Sequence, residues 1–116
     1  MRKPFKKTIA EIAIEGAHGG SGRRQLILSP ADPVSSSLGA MTKGFLDAGG
    51  VFDWHDHADI DEFFTVLAGK GQVFFKDGSQ IDYSVGDVVY MPANLAHRIE
   101  AQGETTSEFF FIRVAA

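Results

Sequence analysis

Residues 54–64 read WHDHADIDEFF, and the apolar run EFFTVLA (62–68) grows out of the end of that stretch. It holds two of the chain's four histidines, His55 and His57, and four of its acids, Asp56, Asp59, Asp61 and Glu62. Side chains alternate along an extended chain, so an H-x-H pair in a strand turns both imidazoles to one face. Their Cβ atoms then lie about 7 Å apart, within reach of a single ion bound at about 2.1 Å. A solvated acidic loop fits the same letters, and the pair alone does not separate the two readings. Glu62 heads a strand that would put Phe64 and Val66 on its own face and Phe63, Thr65 and Leu67 on the other. Both faces are apolar, as in a strand covered on each side. A carboxylate turned inward there is costly unless a cation meets it. Asp61 suits an exposed strand end better.

Outward from this segment the chain reads as strands. TIAEIAI (8–14), RRQLILS (23–29), MTKGFLDA (41–48), EFFTVLA (62–68), GQVFFKD (71–77), SQIDYSV (79–85), DVVYM (87–91), AHRIEA (96–101) and SEFFFIRV (107–114) are short and rich in Phe, Val, Ile or Tyr. Each is bounded by turn residues. Asp77-Gly78 signals a two-residue type I′ hairpin, since Gly accepts positive φ. GAHGGSG (16–22) and SPADPVSSS (29–37) read as a flexible connector and a surface loop. No segment keeps a helical period for the ten to twelve residues a helix needs. Many short strands with tight turns imply an all-β sandwich or barrel. Its interior takes most of the ten phenylalanines.

Composition narrows the function. At 116 residues the chain is one domain, residues 1–116, with residues 1–7 (MRKPFKK) a solvated tail. A net charge of −4 lacks the basic footprint of a nucleic-acid binder. No apolar run approaches the roughly 18 residues of a membrane span, and no secretory h-region follows the basic start. The absence of cysteine excludes disulfides, thiolate ligands and cysteine nucleophiles, and makes the cytoplasm the expected location. There is no G-x-S-x-G elbow and no phosphate-binding Gly loop, which removes hydrolase and nucleotide readings.

His97 lies forty residues beyond His57, after a bend at Met91-Pro92. Three imidazoles and a carboxylate make a donor set suited to a first-row divalent ion and unsuited to calcium. With His97 included, the spacing resembles the cupin family. GGVFDWHDHADIDEFFTVLAG (49–69) is similar to the first cupin motif, G-x5-H-x-H-x3–4-E-x6-G, through Gly49, His55, His57, Glu62 and Gly69. GDVVYMPANLAH (86–97) is similar to the second, G-x5-P-x-G-x2-H-x3-N, through Gly86, Pro92 and His97. Two positions depart from it: Asn94 stands for a usual Gly, and Ala101 for a frequent Asn. Asn tolerates the left-handed region, so the turn at 94 can survive.

The resemblance implies a cupin-type antiparallel β-barrel (a double-stranded β-helix, or jelly roll). It also implies that His55, His57, Glu62 and His97 hold one divalent ion: iron, manganese, nickel, cobalt, copper or zinc. An octahedral ion so held keeps two positions open, for water, dioxygen or a bidentate oxygen ligand. Cupins carry many activities, so the reaction is analogy. A dioxygenase-type oxidoreductase acting on a small organic molecule is the first expectation. The alternatives are a non-redox isomerase, cyclase or decarboxylase, and a non-catalytic small-ligand binder. Phe64, Val66 and Phe74 or Phe75 are expected in the pocket wall. Met41, Lys43 and Phe45 share one strand face, inner or outer. Arg23 or Arg24 could reach a substrate carboxylate, although both also read as surface residues. Tyr83, Tyr90 and Trp54 suit the core or a dimer contact, His18 is idle in its loop, and Asp53, Asp56, Asp59 and Asp61 face solvent. A homodimer is expected, pairing through an exposed edge such as 8–14 or 107–114.

Overall fold

The computed structural model describes residues 2–17 and 22–116. His18, expected to be idle, lies outside the described residues. Ten strands follow a single 3₁₀ turn (Ile9–Glu11): β1 Glu15–Ala17, β2 Gly22–Leu28, β3 Leu38–Leu46, β4 Val51–His55, β5 Ile60–Ala68, β6 Lys70–Phe75, β7 Gln80–Tyr83, β8 Val88–Met91, β9 His97–Gln102 and β10 Ser107–Ala115. They form two antiparallel sheets of order β1-β2-β3-β10-β5-β8 and β4-β9-β6-β7. The sheets face each other as an open jelly roll. Among the described residues no helix is long and apolar enough to cross a membrane.

Alternation within the strands builds the core. In β5, Glu62, Phe64 and Val66 are buried while Phe63, Thr65 and Leu67 are not. In β10, Ser107, Phe109 and Phe111 point inward on the same rhythm. Phe109 is fully buried, with the rings of Phe64, Phe111 and Tyr83 at 5.2, 5.2 and 5.3 Å. These tilted and edge-on contacts are the favoured geometry for packed aromatic rings. Tyr83 exchanges a 2.8 Å hydrogen bond with Ser107 Oγ, which keeps its buried hydroxyl satisfied.

Several expectations change. The alternating segment 8–14 is not a strand: residues 9–11 turn, and the carbonyls of Ile9 and Ile12 both accept from Gln25 Nε2 at 2.9 Å. A side chain of β2 thus takes the backbone acceptors that a neighbouring strand would have taken. Just before the turn, Lys7 Nζ donates to the Ile27 carbonyl at 2.8 Å and pairs with Asp32 at 2.7 Å. Strand 107–114 is no edge either, because β10 is laddered to β3 on one side and β5 on the other. β5 is covered on one face only, with Leu67 40% exposed on the other. Met41, Lys43 and Phe45 lie on the outer face of β3, opposite the buried Ala40, Thr42 and Leu46. The Asp77-Gly78 hairpin exists, but only Gly78 has positive φ; Gly78 N–H bonds Phe75 O, and Phe75 N–H bonds Ser79 O. It is a three-residue loop ending in a left-handed glycine, not a type I′ turn.

Gly69 closes β5 with φ +83, and a Cβ there would lie 2.5 Å from Ser107 Oγ. Gly78 shares the positive φ, but a Cβ there would meet nothing within 4 Å. Gly78→Ala should therefore carry only the left-handed strain, about 1–2 kcal/mol. Gly69→Ala should add an overpacking cost of about 1–3 kcal/mol to it. Urea unfolding midpoints of the two variants test that order.

Candidate metal centre

β4 ends at His55 and β9 begins at His97, and the two residues are register partners across the β4–β9 ladder. His57 follows the end of β4 and lies in the loop before β5, so the two motif histidines do not share a strand face as expected. Glu62 comes from β5, on the opposite sheet. All four sequence-predicted ligands meet at one end of the space between the sheets.

Their donor atoms converge. One ligand atom each from His55, His57 and Glu62 fall within 4.8 Å of one another. His97 Nε2 lies 3.2 Å from His55 Nε2 and 3.6 Å from Glu62 Oε1, and His57 Nε2 lies 3.9 Å from the same oxygen. Ligands about 2.1 Å from an ion sit about 3 Å apart when adjacent and about 4.2 Å apart when opposite. The distances of 3.2, 3.6 and 3.9 Å lie between those limits, while the His57 and His97 rings stand further apart, with centroids at 6.3 Å. His55 Nδ1 is 2.8 Å from the Asp53 carbonyl, which can only accept, so the proton sits on Nδ1 and Nε2 keeps its lone pair inward. His57 Nε2 is buried and has no hydrogen-bond partner among the described residues. A buried imidazole nitrogen left without a partner is what an ion-binding position requires. Burial holds the His57 pKa below its ordinary value, opposed by the Glu62 charge and assisted by Arg113 and His55.

Glu62 is only 3% exposed, and the cation its burial demands is Arg113, whose Nε donates to Oε2 at 2.8 Å. Arg113 is the direct partner of Glu62 in the β10–β5 ladder. The guanidinium occupies one carboxylate oxygen and leaves Oε1 for the histidines. Arg113 was missed in the sequence, although a signal was there: it shares parity with the inward Phe109 and Phe111 in SEFFFIRVA. Its charge also changes the electrostatics. Ligand count alone leaves a divalent ion at a net charge of about +1, but Arg113 cancels Glu62 and restores about +2.

The aspartates do more than face solvent. Asn94 takes φ +67 and Asp59 φ +57. Asn94 N–H donates to the His57 carbonyl at 3.2 Å, Asp59 N–H to Asn94 Oδ1 at 3.0 Å, and Asn94 Nδ2 to Asp59 Oδ1 at 3.3 Å. Asp61 Oδ1 accepts from Ala93 N–H at 2.9 Å and from the Tyr90 hydroxyl at 3.0 Å. The Asn that replaces the motif glycine thus clasps the loop that carries His57. Trp54 stays at the surface, with Lys76 Nζ 4.0 Å above its ring.

A narrow cleft opens onto His55 and Glu62, lined from β1, β2 and β3 by Ala17, Arg23, Arg24, Thr42 and Gly44. Its apolar walls are Phe52, Ile99 and Phe111, while the expected Phe64 and Val66 lie in the core behind it. Phe75 is buried with its ring 6.5 Å from that of His97, and Phe74 turns to the other side of β6. The other lining side chains are two arginines, Thr42 and apolar groups, so the cleft holds no further carboxylate or imidazole.

Comparison with known proteins agrees with this architecture. The sequence pattern of the Cupin domain family matches residues 45–113, more than half of the chain. The protein belongs to the cupin family. Among relatives, it is 26% identical over 100 residues to an oxalate-binding protein of Thermotoga maritima, covering 85% of this chain and 82% of that one. An uncharacterised Bacillus subtilis protein, YdbB, is 34% identical over 58 residues, about half of either chain. A solved structure described as a predicted oxalate decarboxylase of T. maritima superposes with a TM-score of 0.85 at 21% identity, over 97% of this chain and all of that one. A single-substitution variant of oxalate decarboxylase from B. subtilis gives 0.81 at 22%, over 99% of this chain and 30% of that one. Such identities establish the fold.

Two outcomes follow for the metal-free protein. Removing Arg113 leaves a buried carboxylate uncompensated, so Arg113→Leu should lose about 3 kcal/mol in urea unfolding, and Arg113→Leu/Glu62→Leu should recover most of it. For His57 the sign comes from its lowered pKa. Below about 6.5 the unfolded chain takes up a proton that the folded imidazole resists. The stability contributed by neutral His57 is therefore complete above that pH and falls as pH drops through it. The acid-side slope of stability should be shallower in His57→Gln, measured in chelator.

Proposed function

We propose that His55, His57, Glu62 and His97 hold one divalent transition-metal ion, and that this ion captures a small carboxylate chelator of the oxalate class. The observation that carries the reading is the approach of His57 and His97 Nε2 to Glu62 Oε1, with His55 Nε2 beside His97 Nε2 and Arg113 holding the other oxygen. A divalent ion here would act as a Lewis acid that binds and polarises an oxygen ligand. The chain's own part is to present neutral imidazoles and to fix Glu62 by one oxygen. It also surrounds the open side with Phe52, Ile99 and Phe111, which keep water sparse. The oxalate-related relatives support the ligand class.

The reaction is a finer part of the proposal. The cleft supplies no separate general acid or base, so any turnover depends on the ion itself. That favours capture; decarboxylation of the captured hydrogen oxalate to carbon dioxide and formate would take the proton for the new C–H bond from the acid itself or from solvent. The dioxygenase-type expectation uses the same centre and is separated from this reading by oxygen uptake. The protein is also proposed to be a cytoplasmic homodimer. Since 8–14 and 107–114 are not edges, pairing falls to the outer face of the larger sheet, where Val88, Tyr90, Leu67 and Ile112 are exposed.

Elemental analysis should find about one ion per wild-type chain and nearly none in His55→Ala or His97→Ala, as expected when ligands of one site are removed. Equal metal in all three proteins overturns the proposal. Manganese-loaded protein should bind oxalate, releasing carbon dioxide and formate where it turns over. Oxygen consumption by iron-loaded protein with diketones, thiols or catechols, without oxalate binding, would return the dioxygenase reading.

A further inference from the structure

Two arginines bracket the cleft, and the role of one is already clear: Arg113 neutralises Glu62 from behind. Arg24 lies at the other end. In the β2–β3 ladder Arg24 is opposite Gly44 and Leu26 opposite Thr42, so Arg24 belongs to the face that lines the cleft. Arg23 registers with Phe45 and is drawn to the outer face, with Asp47 at 2.7 Å and the Phe45 ring 5.8 Å from its guanidinium carbon. Both arginines border the cleft, but only Arg24 shares the strand face of Thr42 and Gly44, while Arg23 is engaged by Asp47.

Nothing bulky screens Arg24 from the cleft. Its register partner is Gly44, where a Cβ would fall 2.6 Å from the Phe111 ring, so that position must stay bare. The apolar walls Phe52, Ile99 and Phe111 carry no side-chain acceptor, and the carboxylate of the lining, Glu62, is taken by Arg113. Arg24 instead reaches Glu15, its direct partner on the three-residue strand β1, with Nε donating to Oε1 at 2.8 Å. Both side chains are substantially exposed, 39% and 52%, so the pair is screened and weakly held. A carboxylate entering the less solvated cleft would compete well for the guanidinium, which is shaped for such a group.

Charge and size then define the ligand. With Glu62 cancelled by Arg113, a bound divalent ion presents about +2 to the cleft, and Arg24 adds +1 once it leaves Glu15. A monocarboxylate can satisfy the ion but leaves Arg24 with Glu15. A dicarboxylate engages both. The cleft is narrow and puts Arg24 in the same lining as His55 and Glu62, which suits a short diacid.

We propose that Arg24 exchanges Glu15 for the distal carboxylate of a short dicarboxylate whose near end is held at the metal. Glu15 is thereby an internal competitor that occupies the arginine until a second carboxylate arrives. This rests on the metal-capture reading above.

The test is calorimetric titration of manganese-loaded protein with oxalate, malonate and acetate, with metal content measured on every sample. Wild type should prefer a dicarboxylate to acetate. Arg24→Gln should weaken the dicarboxylate by roughly tenfold or more, the scale of one charge-assisted hydrogen bond, while acetate affinity and metal content stay unchanged. Arg24→Lys should restore part of the loss. Glu15→Gln should tighten dicarboxylate binding, because the competitor is gone, a result that a purely structural ion pair would not give. If wild type binds neither oxalate nor malonate, the metal-capture reading fails and takes this one with it. If wild type binds a dicarboxylate and neither substitution changes its affinity, this inference alone is overturned. Equal loss of acetate, dicarboxylate and metal in Arg24→Gln would likewise overturn it, as a structural role.

Discussion

The site depends on a buried carboxylate, and the carboxylate depends on Arg113. Glu62 sits on the inward face of β5 beside Phe64, where an isolated charge would be expelled or protonated. The β10–β5 register puts a guanidinium directly across from it, and a 2.8 Å bond from Nε to Oε2 keeps the charge in place. One consequence is geometric: a single oxygen faces His57 and His97. Another is electrostatic, since neutralising the anionic donor returns the full ionic charge to whatever enters the cleft. A cupin with the same four donors and an apolar residue at 113 would offer a different field from an identical ligand list.

The three histidines come to this place from three separate supports. His55 is fixed by the end of β4 and by its own backbone, through Asp53. His97 is buried at the head of β9, between the β4 and β6 ladders. His57 has no strand to hold it. Its loop is held instead by the Asn94–Asp59 clasp and by Asp61 on the Ala93 amide. The second motif therefore contributes His97 and also the turn that places a ligand of the first.

Much of this was legible in the letters. EFFTVLA and SEFFFIRV read as strands, the first with Glu62, Phe64 and Val66 on one face as found, and the spacing from Gly49 to Gly69 selected Glu62 over Asp61. What was not legible depends on non-local pairing. The alternation of TIAEIAI says strand, but no free ladder was open to it, and Gln25 claimed its carbonyls. β10 looked like an edge because order along the chain says nothing about order in a sheet. Arg113 drew no reading of its own because its partner is 51 residues away. Asn94 read as a tolerated exchange, since hydrogen bonds across a loop leave no periodicity.

These same separations bear on when the site comes into being. His55 meets His97 across 42 residues, Asp59 meets Asn94 across 35, and Glu62 meets Arg113 across 51. No local fragment of the chain contains the donor cluster, its loop clasp and its countercharge together. An unfolded or half-folded chain has only an H-x-H pair to offer, a poor chelator beside the assembled set. A divalent ion held by this cluster would accordingly select the finished fold instead of seeding it, deepening the native state through mass action after β10 has taken its place between β3 and β5. Occupancy of such a site would then measure completed folding.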